Sequence, residues 1–129
     1  MSHIILIEPD VLLGKIYSKA LQAHTGNTVK TVVGAQGAIM SADKKTPDLV
    51  IIELQLIEHS GIEFLYEFRS YPEWQDIPVI INTIVPFSEF RDNWHLVQSE
   101  LNVKAYLYKP TTSIRALKSY ANELLSVAA

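Results

Sequence analysis

Residues Pro47–Leu56 have the sequence PDLVIIELQL, which contains the most informative apolar run of the chain. Within it, Asp48–Glu53 predicts a strand, because four apolar residues follow one another without polar alternation. Such continuous runs are typical of parallel strands that are covered on both faces. A carboxylate at the end of a buried strand is costly unless other groups meet it there. Glu53 therefore marks a place where a site is expected.

Length and composition indicate a globular protein of one domain. Its 129 residues, 48% of them hydrophobic and 19% charged, suffice for one globular core but not for two ordinary ones. We therefore expect a single domain over residues 1–129. The formal net charge of -3 shows no basic excess, so direct nucleic-acid binding is not expected.

Two further features of the composition favour the cytoplasm. The chain has no cysteine, which excludes a disulfide framework. No apolar run approaches the roughly 18 residues of a membrane span, and the start of the chain does not resemble a signal peptide. We expect a cytoplasmic protein without membrane contact.

Strand-like and helix-like segments alternate five times along the chain. The predicted strands are Ile4–Ile7, Thr28–Val33, Asp48–Glu53, Pro78–Thr83 and Ala105–Tyr108. Apolar residues at helical spacing predict a helix after each strand. The first is capped by Asp10, and the third opens with a capping box at Ser60–Glu63. The second covers Ala35–Ala42, the fourth Ser88–Leu101, and the last begins at about Ile114. This order predicts an α/β fold in which a doubly wound parallel sheet is covered by helices on both faces.

Polar residues stand at the predicted ends of four strands. Glu8 ends the first strand, Glu53 the third and Thr83 the fourth, while Lys109 follows the fifth. Sites in open parallel sheets form at the carboxyl ends of the strands. The sequence therefore predicts a polar pocket. With no glycine-rich phosphate loop and no nucleophile beside a base, nothing else indicates an enzyme.

Four segments give the chain a family resemblance. They are ILIEPD, PDLVIIELQL followed by SG, PVIINT and AYLYKP, and in this order they resemble the receiver domains of two-component response regulators. The last is the most specific, since an aromatic residue three positions before Lys-Pro is the family's own pattern. The resemblance covers essentially the whole chain and implies a flavodoxin-like (βα)5 fold with strand order 2-1-3-4-5.

The resemblance also implies roles for particular residues. In receivers an aspartate after the third strand accepts a phosphoryl group from a histidine kinase, and two acids after the first strand help to hold Mg²⁺. By position Glu8 matches the first acid, Thr83 and Lys109 match the two groups that contact the phosphoryl oxygens, and Tyr106 matches an aromatic that changes rotamer. A cis peptide before Pro110 is implied as well.

Two positions depart from the family pattern. Pro9 replaces the second acid, and Glu53 replaces the phosphoacceptor aspartate. The extra methylene moves the Glu53 oxygens roughly 1.5 Å further out, and a displacement of about 1 Å already costs about 10²-fold in a demanding geometry. We expect Glu53 to pair with Lys109 where the phosphate would lie. Phosphate acceptance at Glu53, or a merely solvated carboxylate, stay open as alternatives.

The same departures weaken the implied metal site. Proline supplies no side-chain oxygen, and a hard cation depends on oxygen ligands. The remaining candidates for a weakly held Mg²⁺ are Glu8, Asp10 and Glu53, of which Asp10 is better explained as a helix cap. We expect no cofactor and no catalytic residue.

The segment after Thr83 is longer than in most receivers by a few residues, and the surplus falls in Ile84–Asp92. This segment is either a partner-binding loop with exposed aromatic rings or a packed one. In the second interpretation Phe90 and Trp94 face the core and only Phe87 is exposed.

The sequence thus predicts a pseudo-receiver, a signalling module that works without phosphorylation. It would bind a protein partner through the face made by the fourth helix, fifth strand and fifth helix, the partner being a histidine kinase, an output protein or a second copy. Tyr106 would either be fixed by the Glu53–Lys109 pair or be an ordinary packing tyrosine. Two other interpretations are a working phosphorelay receiver that uses Glu53 and the regulatory domain of a transcriptional response regulator. The sequence does not indicate the kinase, the pathway, the oligomeric state or whether the state is active-like.

Overall fold

Five parallel strands form one sheet in this computed structural model, which describes residues 2–128. The strands are β1 (His3–Ile7), β2 (Thr28–Val32), β3 (Leu49–Ile52), β4 (Val79–Thr83) and β5 (Val103–Tyr108). Their order across the sheet is β2-β1-β3-β4-β5. The predicted parallel sheet and its strand order are confirmed.

Five helices cover the sheet on both faces. They are α1 (Val11–Gln22), α2 (Ala35–Lys44), α3 (Gly61–Arg69), α4 (Trp94–Leu101) and α5 (Ile114–Ala128). Apolar residues of α2, α3 and α4 form one core with the sheet, and those of α1 and α5 form the other. None of these helices, over the residues described, is long and apolar enough to cross a membrane.

Strand β3 lies in the middle of the sheet and contributes to both cores. Val50 and Ile52 pack with the α2–α3–α4 layer, whereas Leu49 and Ile51 pack with α1 and α5. All four are buried. This explains why the strand lacks polar alternation. The next residue, Glu53, lies at the carboxyl end of β3, at the edge of the hydrophobic core.

Helix starts fix the loops that carry the site. Asp10 Oδ1 accepts a hydrogen bond from Leu13 N at 3.0 Å, and Ser60 Oγ accepts one from Glu63 N at 3.1 Å. Both caps were predicted, and each satisfies a backbone donor of the first helical turn. The loop from β1 to α1 spans residues 8–10 and the loop from β3 to α3 spans residues 53–60, and each is held at its helix end by one of these caps.

Gly61 allows α3 to approach β3 closely. A Cβ atom at this position would lie 2.8 Å from Leu54 Cα and 2.9 Å from the carbonyl oxygen of Glu53. Both neighbours are backbone atoms that cannot move aside as a side chain would. Only glycine fits without shifting the backbone that carries Glu53.

The fourth helix begins later than predicted. Instead of a helix over Ser88–Leu101, two 3₁₀ turns at Phe87–Glu89 and Arg91–Asn93 precede α4. Side chains three residues apart eclipse one another in a 3₁₀ arrangement, and the rings of Phe87 and Phe90 indeed both contact Tyr106. The prediction that Phe87 would be exposed is wrong, since its side chain is half-buried.

Arg69 joins α3 to the elements beside it. Its buried guanidinium donates hydrogen bonds to the carbonyl oxygens of Leu101 at 2.8 Å, Trp74 at 2.5 Å and Ile77 at 2.5 Å. Burial lowers the pKa of Arg69 to about 10, against the opposing charge of Asp76. The end of α4 is therefore anchored from inside the protein.

Candidate functional site

Four of the five residues predicted for the pocket meet at one edge of the sheet, whereas the side chain of the fifth, Asp10, caps α1. Glu8 follows β1, Glu53 follows β3, Thr83 ends β4 and Lys109 follows β5. Glu8 is 2% exposed, Glu53 3% and Thr83 0%. The pocket is thus a buried polar cluster, which makes its internal contacts decisive for what it can bind.

Lys109 links the two carboxylates of this cluster. Its Nζ lies 2.6 Å from Glu8 Oε1 and 2.6 Å from Glu53 Oε1, with the lysine side chain 9% exposed. The ion pair with Glu53 that the sequence predicts is present. One ammonium group between two buried carboxylates leaves a net negative charge, which must be stabilised by further hydrogen bonds.

Glu53 accepts those hydrogen bonds with both of its oxygens. Oε1 accepts from Ile84 N at 3.1 Å in addition to the lysine, and Oε2 accepts from Gln55 N at 3.0 Å and from the hydroxyl of Thr83. Four donors therefore surround one carboxylate. Such saturation strongly favours the ionised form.

The pKa values of the pair follow from these contacts. Burial alone would raise the pKa of Glu53, but the hydrogen bonds from Lys109, Thr83 and Gln55 bring it below its usual value. Burial would lower the pKa of Lys109, but Glu53 and Glu8 raise it above its usual value. Both groups are charged at neutral pH, and each keeps the other so.

The donor set does not fit a Mg²⁺ ion. Glu8 and Glu53 already share the Lys109 ammonium, and Glu8 Oε2 also accepts from Asp10 N at 3.1 Å. Asp10 Oδ1 caps α1, and Pro9 offers no side-chain oxygen. Within residues 2–128 no three acidic or histidine side chains are grouped to hold a metal ion. The space between the two carboxylates is filled by a cation that belongs to the chain.

Tyr106 is connected to the pocket through the β4–α4 loop. Its hydroxyl donates to the carbonyl oxygen of Val85 at 2.6 Å, and Val85 N donates to Thr83 Oγ1 at 3.1 Å. Thr83 in turn donates to Glu53. The link that the sequence attributed to the ion pair itself therefore runs through Thr83 and the backbone of Val85.

Three aromatic side chains surround Tyr106 on its other sides. The ring centroids of Phe87, Phe90 and Trp94 lie 5.1, 5.9 and 6.0 Å from that of Tyr106. Burial, followed by the negative charges of Glu53 and Glu89, raises the pKa of Tyr106 to about 12. The tyrosine is thus held by one hydrogen bond and by rings on several sides.

One detail implied by the family resemblance is wrong. The peptide bond before Pro110 is trans. Pro110 lies in the first turn of a 3₁₀ helix, Lys109–Thr111, where the missing N–H of proline is not needed and its fixed φ suits the turn.

Sequence reasoning missed the backbone groups of the site. The N–H groups of Gln55 and Ile84 contact Glu53, and the carbonyl of Val85 receives the Tyr106 hydroxyl. A usable signal existed, because a carboxylate directly after a buried strand lies beside the N–H groups of the loops that leave the sheet.

Comparison with known proteins agrees with this architecture. The family described as the response regulator receiver domain matches residues 4–121. The polar-differentiation response regulator DivK of Brucella ovis is 28% identical over 123 residues, which cover 93% of this chain and 96% of that protein. The DivK protein of Brucella abortus (strain 2308) matches to the same extent.

Solved structures show the same fold. The receiver domain of the Francisella response regulator 1452 superposes with a TM-score of 0.84 at 18% identity and covers 100% of both chains. The Vibrio cholerae chemotaxis protein CheY4 gives a TM-score of 0.83 at 18% identity, covering 96% of this chain and 98% of the other.

Proposed function

The chain belongs to the receiver-domain family of response regulators, and from that premise we propose that it is a pseudo-receiver whose pocket is held by Glu53 instead of a phosphoryl group. The module acts in two-component signalling by contacts with other proteins. It is not an enzyme, it uses neither Mg²⁺ nor another cofactor, and it works in the cytoplasm. The conformation that its partners recognise is determined by the amino-acid sequence and not by phosphorylation.

One observation carries this proposal. The Thr83 hydroxyl and the Lys109 ammonium are the two groups that would contact a phosphoryl group in a receiver, and both are bonded to the carboxylate of Glu53. Ile84 N completes the set. An incoming phosphoryl group would find its partners occupied and would meet a buried negative charge.

The same contacts support one conformational state over the other. Thr83 is drawn toward an anion, and Val85 and Tyr106 follow it through hydrogen bonds. Because Glu53 supplies that anion permanently, the arrangement corresponds to a receiver whose site is filled. We therefore assign the module to the active-like state.

The partner-binding face is the surface of α4, β5 and α5. Tyr106 lies on β5, the strand of this surface. Large apolar side chains exposed on its two helices are those of Leu96, Ile114 and Tyr120. Exposed apolar groups on a rigid support are typical of protein-binding surfaces. The partner is a histidine kinase, an output protein or a second copy of the chain.

Trp94 fluorescence tests the proposal. Trp94 touches Tyr106, and a Trp74→Phe background leaves Trp94 as the single tryptophan reporter. Its emission should stay unchanged when acetyl phosphate and Mg²⁺ are added, and it should shift in Glu53→Gln, because Thr83 loses a charged acceptor.

A matched variant provides the positive control. Glu53→Asp combined with Pro9→Asp restores the family pattern at both departures, and its emission should respond to acetyl phosphate with Mg²⁺. A response of equal size in the protein with native Glu53 and Pro9 would support the working phosphorelay receiver instead.

A further inference from the structure

Charge is distributed unevenly over the surface, apart from the pocket. Residues 11–45, which cover α1, β2 and α2, contain five lysines and one acidic residue. Residues 58–100, which cover α3 and α4, contain eight acidic residues and two arginines, of which Arg69 is buried. The chain is thus basic around β2 and acidic around α3 and α4, and these parts are here called the basic side and the acidic side.

The basic side contains a groove between β2 and α2, here called the lysine groove. It has a volume of about 490 Å³, and it is lined by Val32, Gly37 and Met40 and bordered by Lys30, Lys44 and Lys45. The three lysines are exposed, and Met40 is 55% exposed. An apolar floor between cations suits an occupant that is partly apolar and acidic.

The acidic side contains a matching feature on the outer surface of α3, here called the acidic stripe. Glu63, Tyr66 and Glu67 follow one another at positions i, i+3 and i+4, so they share one face of the helix. All three are exposed, Tyr66 at 51%. The stripe presents an aromatic ring flanked by two carboxylates.

Most of these charges have no partner within the chain. In the part of the chain that the structure describes, ion pairs within 4.0 Å are those of Lys109 with Glu8 and Glu53 and that of His59 with Glu63. The lysines of the groove and Glu67 take part in none of them. The charges are therefore free to act between molecules.

From this complementarity we propose that the lysine groove binds the acidic stripe of a second copy of this chain. Tyr66 of one copy lies over the apolar floor of the other, and Glu63 and Glu67 face the lysines. Because groove and stripe are different surfaces, the contact is head-to-tail, and a pair of copies keeps one free stripe on the first copy and one free groove on the second. The inference is independent of the state of Glu53.

The physical terms make this association weak and sensitive to salt. Exposed ion pairs contribute about 0–1 kcal/mol each, and an aromatic side chain in an apolar depression is the usual anchor of such contacts. The Debye length falls from about 30 Å at about 10 mM salt to about 3 Å at about 1 M. Association should therefore be present at low salt and lost at high salt.

Sedimentation velocity of the whole chain at low salt tests the contact. The weight-average mass should rise with concentration above 14.5 kDa and return to that value at high salt. Variant one, Lys30→Gln with Lys44→Gln, neutralises the groove, and variant two, Glu63→Gln with Glu67→Gln, neutralises the stripe. Each alone should stay monomeric.

Mixing the two variants gives the decisive result. Variant two keeps a native groove and variant one a native stripe, so an equal mixture should form a one-to-one complex that grows no further. The matched control is Lys15→Gln with Lys19→Gln, which makes the same charge change on α1 and should associate like the native chain. Circular dichroism melting checks that each variant is folded.

Three results would overturn the proposal. A native chain that stays at the monomer mass at low salt would mean that the groove binds something else or nothing. Association that persists in both variants would place the contact on another surface, such as α4–β5–α5. A mixture without a one-to-one complex would exclude the head-to-tail arrangement.

Discussion

Lys109 Nζ lies 2.6 Å from Glu53 Oε1, where the carboxyl ends of β3 and β5 meet on either side of β4. The extra methylene of glutamate carries its carboxylate to the ammonium, while the N–H of Ile84 and the hydroxyl of Thr83 reach it from β4. A buried charge is stable only when it is paired and hydrogen-bonded. Here the chain itself supplies the cation and the hydrogen-bond donors that Glu53 requires.

Lys109→Met should destabilise the fold strongly. It leaves Glu8 and Glu53 buried without a cation, and breaking a buried pair by removing one partner costs about 3–5 kcal/mol. Urea unfolding followed by circular dichroism measures the loss. Glu53→Gln is the comparison, since it keeps the size of the side chain and leaves the Glu8–Lys109 pair intact; its loss should be smaller. A loss for Lys109→Met no greater than that for Glu53→Gln would contradict the buried triad.

The pair should also set the pH dependence of stability. The pKa of Glu53 is lowered in the folded state. The contribution of Glu53 to the free energy of unfolding is therefore complete at pH values above its ordinary pKa of 4.5, and it is lost as the pH falls through the lowered pKa. The pKa of Lys109 is raised in the folded state. Its contribution to the free energy of unfolding is therefore complete at pH values below the ordinary pKa of 10.5, and it is lost as the pH rises through the raised pKa.

The measurement is the difference in unfolding free energy between the native chain and Glu53→Gln across pH. The difference should be constant between these two ordinary values and shrink on both sides. A difference that stays constant far into acid would show that Glu53 is not held ionised by its partners.

Tyr106→Phe should remove a tyrosine that ionises only at strongly alkaline pH. The pKa of Tyr106 is raised to about 12 by burial, then by the charges of Glu53 and Glu89. The absorbance change that the variant loses in a spectrophotometric titration should therefore lie near this raised pKa. The lost hydrogen bond to Val85 should lower stability by about 1 kcal/mol. An unchanged alkaline limb would mean that Tyr106 is exposed to solvent.

Gly61→Ala should disturb the pocket from outside it. The added Cβ would lie 2.8 Å from Leu54 Cα and 2.9 Å from the carbonyl oxygen of Glu53, and overpacking of this kind typically costs about 1–3 kcal/mol. Gly34→Ala is the matched control, because no atom lies within 4 Å of its added Cβ. Equal stability of the two variants in urea would show that α3 does not press on the Glu53 backbone.

Much of the fold could be predicted from local patterns. Continuous apolar strands such as Leu49–Ile52 and side-chain caps such as Asp10 and Ser60 depend on a few neighbouring residues, and the structure has them where they were expected. The meeting of Glu53 with Lys109 followed from strand order, because the carboxyl ends of parallel strands share one edge.

The rest depended on tertiary contacts that a local pattern does not contain. The spacing of Phe90 and Trp94 predicts a helix, but the packing of Phe87 and Phe90 on Tyr106 favours two 3₁₀ turns before α4. Backbone donors such as Gln55 N carry no residue-type signal at all. The route from Thr83 through Val85 to Tyr106 could be identified only with the loop in place.

Intact mass after incubation with acetyl phosphate and Mg²⁺ shows whether Glu53 accepts a phosphoryl group. Glu53→Asp with Pro9→Asp serves as the control that should gain one phosphoryl group, since it restores both the acceptor and the second acid of the family pattern. The native chain should keep its mass, because Thr83, Lys109 and Ile84 N are occupied by Glu53. A native chain that gains one phosphoryl group, mapped to Glu53 by peptide sequencing, would contradict this expectation.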